Sequence, residues 1–174
     1  LLDVQAPYRW NLRRLDPGFV LDVGCGIGRN LMHLNGRGVG IDHNEESVRF
    51  ARELGLKAFT PEKFEKTDHY HRQFDTLLLA HVAEHMTKQE VLQLLERYIH
   101  LVKPGGKFIM ITPQEAGYKT DHTHVEFMDF DKLRDINKQL GLTLLREFSF
   151  PLPRIAGRFF VYNEFVTVSR KSEA

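Results

Sequence analysis

The sequence predicts an α/β fold, a doubly wound seven-stranded sheet that is mostly parallel with an antiparallel C-terminal strand. Three observations carry that expectation. Short β-branched or aliphatic runs alternate with helix-patterned segments, as parallel strands with crossover helices do. A glycine-rich turn, VLDVGCGIGRN (20–30), follows the first run. The last two runs have no helix-patterned segment between them, so they pair as an antiparallel edge.

FVLDV (19–23) is the first strand, and the short helix after it, 29–35, stops at Gly36. GVGID (38–42) is the second strand. The helix over 44–54 starts at the N-cap candidate Asn44, with acidic residues in its first turn. LKAFT (56–60) is a brief third strand, and FDTLLLA (74–80) is apolar enough for a central strand covered on both faces. Thr87 and Glu90 form a capping box that opens a helix carrying Val91, Leu94, Leu95, Tyr98 and Leu101 at helical spacing. KPGG (103–106) reads as a turn and KFIMIT (107–112) as the fifth strand. The stretch 113–128 is polar, dotted with aromatics and without clear period; so long a connection is more often functional than idle. Phe130, Leu133, Ile136 and Leu140 mark a helix that Gly141 stops, and 142–150 and 159–170 are the closing strands. Upstream, APYRWNLRRL (6–15) reads as a helix.

Bulk properties narrow the partners. Lys plus Arg total 24 against 23 Asp plus Glu, so no field of one sign would gather nucleic acid. The one cysteine, Cys25, can form no internal disulfide and no cysteine pair has zinc-site spacing, which suits a reducing, cytoplasmic setting. No apolar run reaches the ~18 residues of a membrane span, and the first residues lack the pattern of a signal peptide. The chain starts at Leu1 rather than methionine, which leaves room for residues upstream.

The glycine loop has G-x-G-x-G spacing, one residue short of the G-x-G-x-x-G that a dinucleotide pyrophosphate requires. Four segments, VLDVGCGIGRN, GVGIDHN, FDTLLLAHVAEHM and VKPGGKFIMITP, together resemble the class I S-adenosylmethionine-dependent methyltransferases from Phe19 to Arg170. The resemblance implies a Rossmann-like fold with S-adenosylmethionine as cofactor and S-adenosylhomocysteine as product. This cofactor has no phosphate, and bare backbone at Gly24, Cys25, Gly26 and Gly28 lets its aminoacyl end pass close. Cys25 itself reads as a small residue tolerated in a tight turn. Asp22 accepts hydrogen bonds from the loop amides, as a cap, or from the ligand's ammonium. Asp42, eighteen residues beyond Gly24, is placed to take both ribose hydroxyls, with His43 beside it. Thr60, Pro61 and Glu62 occupy the place where the family's adenine lies, although the Asp common there is missing and turn chemistry explains the triplet almost as well. Ala80 and His81 flank the aminoacyl end, and Tyr8 covers the ligand from the N-terminal helix. Nucleotide-type ligands lie where the winding of such sheets reverses.

Methyl transfer is an in-line displacement, and alignment alone supplies ~7–11 kcal/mol. A hydroxyl acceptor gains from a base near neutral pKa. DHTHVEF (121–127) makes His124 the first candidate base and His81 the second. Glu84 and His85 read first as a helix start; the sharper alternative is a metal set with His81 and His122 or His124, and the preferred reading assigns no metal. The phenylalanines and prolines of FSFPLPRIAGRFFVYNEF serve the core, with an apolar lip for a lipidic, aromatic or glycosylated acceptor as the sharper alternative. The chain is thus read as one methyltransferase domain, 1–174: an N-terminal cover (1–18), a cofactor-binding core (19–112), a substrate loop (113–128) and a C-terminal helix with antiparallel strands (129–174). It acts on a small molecule, through oxygen, as a monomer or homodimer. The alternatives are an NAD-dependent oxidoreductase and a non-catalytic relic that only binds the cofactor.

Overall fold

The computed structural model describes residues 3–67 and 73–173. Its elements run α1 (Ala6–Arg14), β1 (Val20–Val23), α2 (Arg29–His33), β2 (Gly38–Ile41), α3 (Glu45–Glu53), β3 (Ala58–Phe59), α4 (Pro61–Glu65), β4 (Phe74–Ala80) and α5 (Lys88–Tyr98). After these come β5 (Val102–Pro113), α6 (Glu115–Tyr118), α7 (Phe130–Gln139), β6 (Thr143–Phe150) and β7 (Glu164–Arg170). The strands form one sheet in the order β3-β2-β1-β4-β5-β7-β6. Winding goes one way from β1 to β3 and the other from β4 onward, so the crevice between β1 and β4 is the point of reversal.

Five strands are parallel, and β7 runs against both β5 and β6. β7 is therefore an inserted strand, and β6 and β3 are the two edges. β1 and β2 are buried throughout, and six of the seven residues of β4 are buried too, as strands covered on both faces must be. One apolar layer joins Leu12 and Leu15 to Val20, Leu78, Ile109 and Val166. The opposite layer joins α5 and α7, through Val91, Leu95, Leu133 and Ile136, to Leu21, Leu77, Phe108 and Phe165.

The capping signals act as expected. The Asn44 side chain accepts from the Ser47 amide at 3.0 Å, and both halves of the Thr87–Glu90 capping box form. Asp129, unnoticed in the sequence, caps α7 by accepting from Lys132 N.

Several expectations are corrected. The third strand shrinks to two residues, because Thr60 and Pro61 start α4 where turn chemistry or a strand end was expected. KPGG is not a separating turn: β5 begins at Val102, and the pairing register shifts between Phe74 and Thr76 to absorb it. Glu84 and His85 belong to a single 3-10 turn, Ala83–His85, and α5 starts only at Lys88. The last strand starts at Glu164 rather than 159, and a 3-10 helix, Arg154–Arg158, sits in the connection read as helix-free. Phe159–Tyr162 is left on the surface, where a core role was expected.

Candidate active site

β1 ends at Val23, and the loop after it turns back under the tip of β2. Gly24 N and Cys25 N both donate to Ile41 O, at 2.7 and 3.0 Å. Gly24 has φ +76°, and a Cβ there would fall within 2.3 Å of Val82, so only glycine fits. Gly26 has φ +52° and no described residue within 4 Å of where a Cβ would stand. Its bare backbone faces open space. Cys25 points the other way, into a small apolar cluster with Val48, Ala51 and Ala58. Its thiol is pushed up by burial first and by Asp22 and Asp42 next, so any contribution to a ligand is through its backbone.

The two acids divide the work differently from the expectation. Asp42 takes the loop amides: Gly26 N donates to Oδ2 at 2.7 Å and Asn44 N to Oδ1 at 2.9 Å. A carboxylate has about four acceptor positions, so two remain for a ligand. Asp22 takes none of them. It is 1% exposed, and neither carboxylate oxygen has a hydrogen-bond partner among the described residues. Burial raises its pKa to about 7; the Asn30 side chain lies near enough to pull it down but short of hydrogen-bond geometry, and Asp42 pushes it up. An orphaned buried carboxyl beneath an open glycine turn is chemically suited to a ligand ammonium.

His43 lies at the surface beside Asp42, its side chain 94% exposed. Thr60 is buried, whereas Glu62 is exposed. The tips of β2 and β3 adjoin, since Asp42 N donates to Phe59 O at 3.1 Å. Asp42 and Thr60 thus stand at neighbouring strand ends.

β4 ends at Ala80, and His81 follows with φ +57°, a left-handed conformation rare outside glycine. The turn lets its ring bridge two carboxylates, Nε2 to Glu164 Oε1 at 2.8 Å and Nδ1 to Glu84 Oε1 at 3.3 Å. Burial works against its charge, but hydrogen bonds to Glu164 and Glu84 outweigh burial and raise its pKa to about 10. At neutral pH the ring is a cation without a lone pair, which does not suit the second-choice base.

His124 stacks on Tyr118, ring centres 5.0 Å apart, and its Nδ1 meets Tyr118 O at 2.6 Å. A carbonyl only accepts, so Nδ1 is the donor, and in the neutral ring Nε2 keeps a lone pair. His85 lies edge-on at 4.8 Å, and one ligand atom each from Glu84, His85 and His124 lies within 4.8 Å of the others. His81 and His122 are not members of that trio.

A cavity of about 280 Å³ opens at the tips of β4 and β5 under α1. Tyr8, Arg29, Asn30, His81 and Glu164 are in its wall, and Tyr8 donates to Tyr162 O at 2.8 Å across its rim. His124 is not in that wall. Sequence reading missed Glu164, Arg29 and Asn30. The one available signal for Glu164 was an acid immediately ahead of the apolar run FVTV.

Residues 20–106 match the family model described as a methyltransferase domain. No curated protein matches the sequence. Among solved structures, a SAM-dependent methyltransferase from Archaeoglobus fulgidus superposes with TM-score 0.70 at 19% identity, over 96% of this chain and 94% of that one. One from Methanosarcina mazei gives TM-score 0.68 at 15% identity, over 89% and 92%. Magnesium protoporphyrin IX methyltransferase from Synechocystis, with bound SAM, gives 0.66 at 15%, over 98% and 82%. At such identities the likeness shows the fold, and the family match does the rest. The chain belongs to the methyltransferase-domain family. It is an S-adenosylmethionine-dependent methyltransferase of class I, and the oxidoreductase alternative falls.

Proposed function

We propose that the protein methylates a small molecule at oxygen, with the acceptor held in the cavity under α1. The observation that carries this reading is that cavity itself: about 280 Å³, walled by Ala80 and His81 at the tip of β4, beside the glycine loop. That volume suits part of a small molecule rather than a polymer. A phenol, a sugar hydroxyl or the head of a lipid would fit.

S-adenosylmethionine supplies a sulfonium methyl. Asp22 would receive its ammonium, the backbone of Gly24, Cys25 and Gly26 would let it pass close, and Ala80 and Tyr8 would bound its aminoacyl end. Asp42 would take the ribose hydroxyls, with His43 alongside, and Thr60, Pro61 and Glu62 would border the base. His81, held as a cation by Glu164 and Glu84, sets the charge at the cavity floor. With S-adenosylmethionine bound, its methyl would pass to the acceptor oxygen; because His124, on the loop 113–128, is outside the cavity wall, the acceptor would extend from the cavity past His81 for its hydroxyl proton to leave to Nε2 of His124. We further propose one domain over 1–174, divided as the sequence suggests. We place the protein in the cytoplasm, as a monomer or homodimer. No helix among the described residues is long and apolar enough to cross a membrane. The test is a labelled-methyl screen over phenols, sugars and lipid extracts; transfer confined to proteins or nucleic acids refutes the reading.

One observation favours a second reading for the histidines. His85 Nδ1 meets Thr123 Oγ1 at 3.1 Å, and that hydroxyl donates to Asp121 Oδ1 at 2.7 Å. His85 therefore also donates from Nδ1 and keeps Nε2 free, while Glu84 Oε2 is buried without a partner among the described residues. Two imidazole lone pairs and a carboxylate, each ring oriented from behind, are the donor set of a divalent-cation site. Such an ion would polarise the acceptor oxygen. Stoichiometric metal in protein purified without nickel resin, lost in His85→Ala, decides for it; metal-free active protein decides for His124 as base.

A further inference from the structure

The connection between β6 and β7 exposes six large apolar side chains within eleven residues: Leu152, Ile155, Phe159, Phe160, Val161 and Tyr162. Phe159 is 83% exposed and Ile155 69%. Scattered surface apolars need no explanation, but a contiguous set does. The base of the segment is clamped. Buried Asn163 donates to Gln114 Oε1 and Ser149 Oγ, both at 2.9 Å, and accepts from Leu152 N at 2.9 Å. Arg154 pairs with Glu115. The apolar tip is therefore held out by its own scaffold.

Cations adjoin it. The rings of Tyr8 and Trp10 both rest against Phe150, at 5.8 and 6.4 Å, where the segment leaves β6. The Arg14 guanidinium lies 4.7 Å from the centre of Trp10 and 5.0 Å from that of Phe148, and Arg146 lies 4.6 Å from Phe148. Two guanidiniums thus share one ring, and among the described residues neither has a carboxylate at ion-pair distance. Burial first and Arg146 second lower the Arg14 pKa. From Phe148 to Asn163 the sequence has two arginines, Arg154 and Arg158, and no acid.

We propose that this face docks on an anionic lipid bilayer, with Ile155, Phe159 and Phe160 in the headgroup–acyl boundary and Arg14, Arg146 and Arg158 at the level of the phosphates. Exposed aromatics beside cations are what an interfacial surface requires, and each arginine near an anionic membrane gains ~1 kcal/mol, roughly fivefold in affinity. A second copy fits less well, because a twofold contact meets itself and would bring these unpaired guanidiniums toward their own images. Nucleic acid would use the arginines but leave Ile155 and Phe159 in water. Val161 and Tyr162 belong both to this patch and to the cavity wall. Docking would therefore turn the cavity mouth toward the bilayer. The inference goes beyond the proposed acceptor class and stands whether or not that acceptor is a lipid.

Trp10, the only tryptophan, reports directly. The full chain is mixed with phosphatidylcholine vesicles and with vesicles containing 30% phosphatidylglycerol, and binding is read by sedimentation and Trp10 emission. The expected result is binding to the anionic vesicles at least tenfold tighter than to the neutral ones, with a blue shift and weakening at high salt. Arg14→Gln with Arg146→Gln should cost about 25-fold on anionic vesicles, and Ile155→Ser with Phe159→Ser at least tenfold. Unchanged adenosylhomocysteine affinity in both pairs shows that the variants fold, independently of any acceptor. Equal or no binding to the two vesicle types overturns the proposal. So does self-association abolished by the same substitutions, which would assign the face to a second copy, or RNA binding that survives Ile155→Ser with Phe159→Ser.

Discussion

The amide of Gly26 donates to Oδ2 of Asp42 at 2.7 Å, tying the open glycine of the loop after β1 to the acid at the tip of β2. One carboxylate therefore shapes the cofactor loop with acceptor positions to spare, and the neighbouring acid, Asp22, has no hydrogen-bond partner among the described residues.

Asp42→Ala should weaken adenosylhomocysteine binding by about 1.5–3 kcal/mol, the range for charge-assisted hydrogen bonds. Isothermal titration measures it. Affinity within a factor of two of the parent would remove Asp42 from the site.

Asp22 makes binding depend on pH in a definite direction. Its carboxyl is raised to about 7 in the free protein, so it is largely protonated below that and must ionise to receive an ammonium. Affinity should rise with pH up to about 7 and level off above. Because the folded pKa lies above the unfolded one, ionising Asp22 costs stability as pH climbs from about 4 to about 7. Asp22→Asn should therefore raise the melting temperature of the free protein at neutral pH while flattening the pH dependence of binding. A variant as pH-dependent as the parent would show that another group sets the profile.

His81 behaves in the opposite sense. A base whose folded pKa is raised to about 10 stabilises the fold fully below about 6.5, and loses that contribution as pH rises toward 10. Its side chain is 49% exposed, which screens the gain. Histidine NMR should show one ring titrating far above the others, and Glu164→Gln should bring it down by a unit or more. A His81 titration near 6.5 in the parent protein would break the Glu164–His81–Glu84 bridge.

His124→Ala should lower turnover by a factor of 100 or more, within the range for general bases, with cofactor affinity nearly unchanged. His124→Gln, which keeps a donor toward Tyr118 O but no base, should be as slow. Equal losses in turnover and binding would instead mark His124 as structural.

Local chemistry carried much of the fold. The capping box at Thr87, the cap at Asn44, the stops at Gly36 and Gly141 and the apolar run of β4 each depend on residues within a few positions, so they can be read along the chain. KPGG failed because its glycines signal a turn locally, while pairing with β4 draws Val102 into the strand. The third strand came out shorter than expected because Thr60 and Pro61 start a helix as readily as they end a strand.

By itself the sequence determined the class of sheet, the position of the glycine loop and the acid that follows it, because parallel strands and tight turns impose residue types at short spacing. Only the tertiary structure decided which acid binds the loop and which stays orphaned. It also brought Glu164 against His81 across 83 positions and held Phe159 out of the core. Those outcomes depend on which strand lies beside which, and β7 entering between β5 and β6 is a choice of packing that no short stretch of chain records.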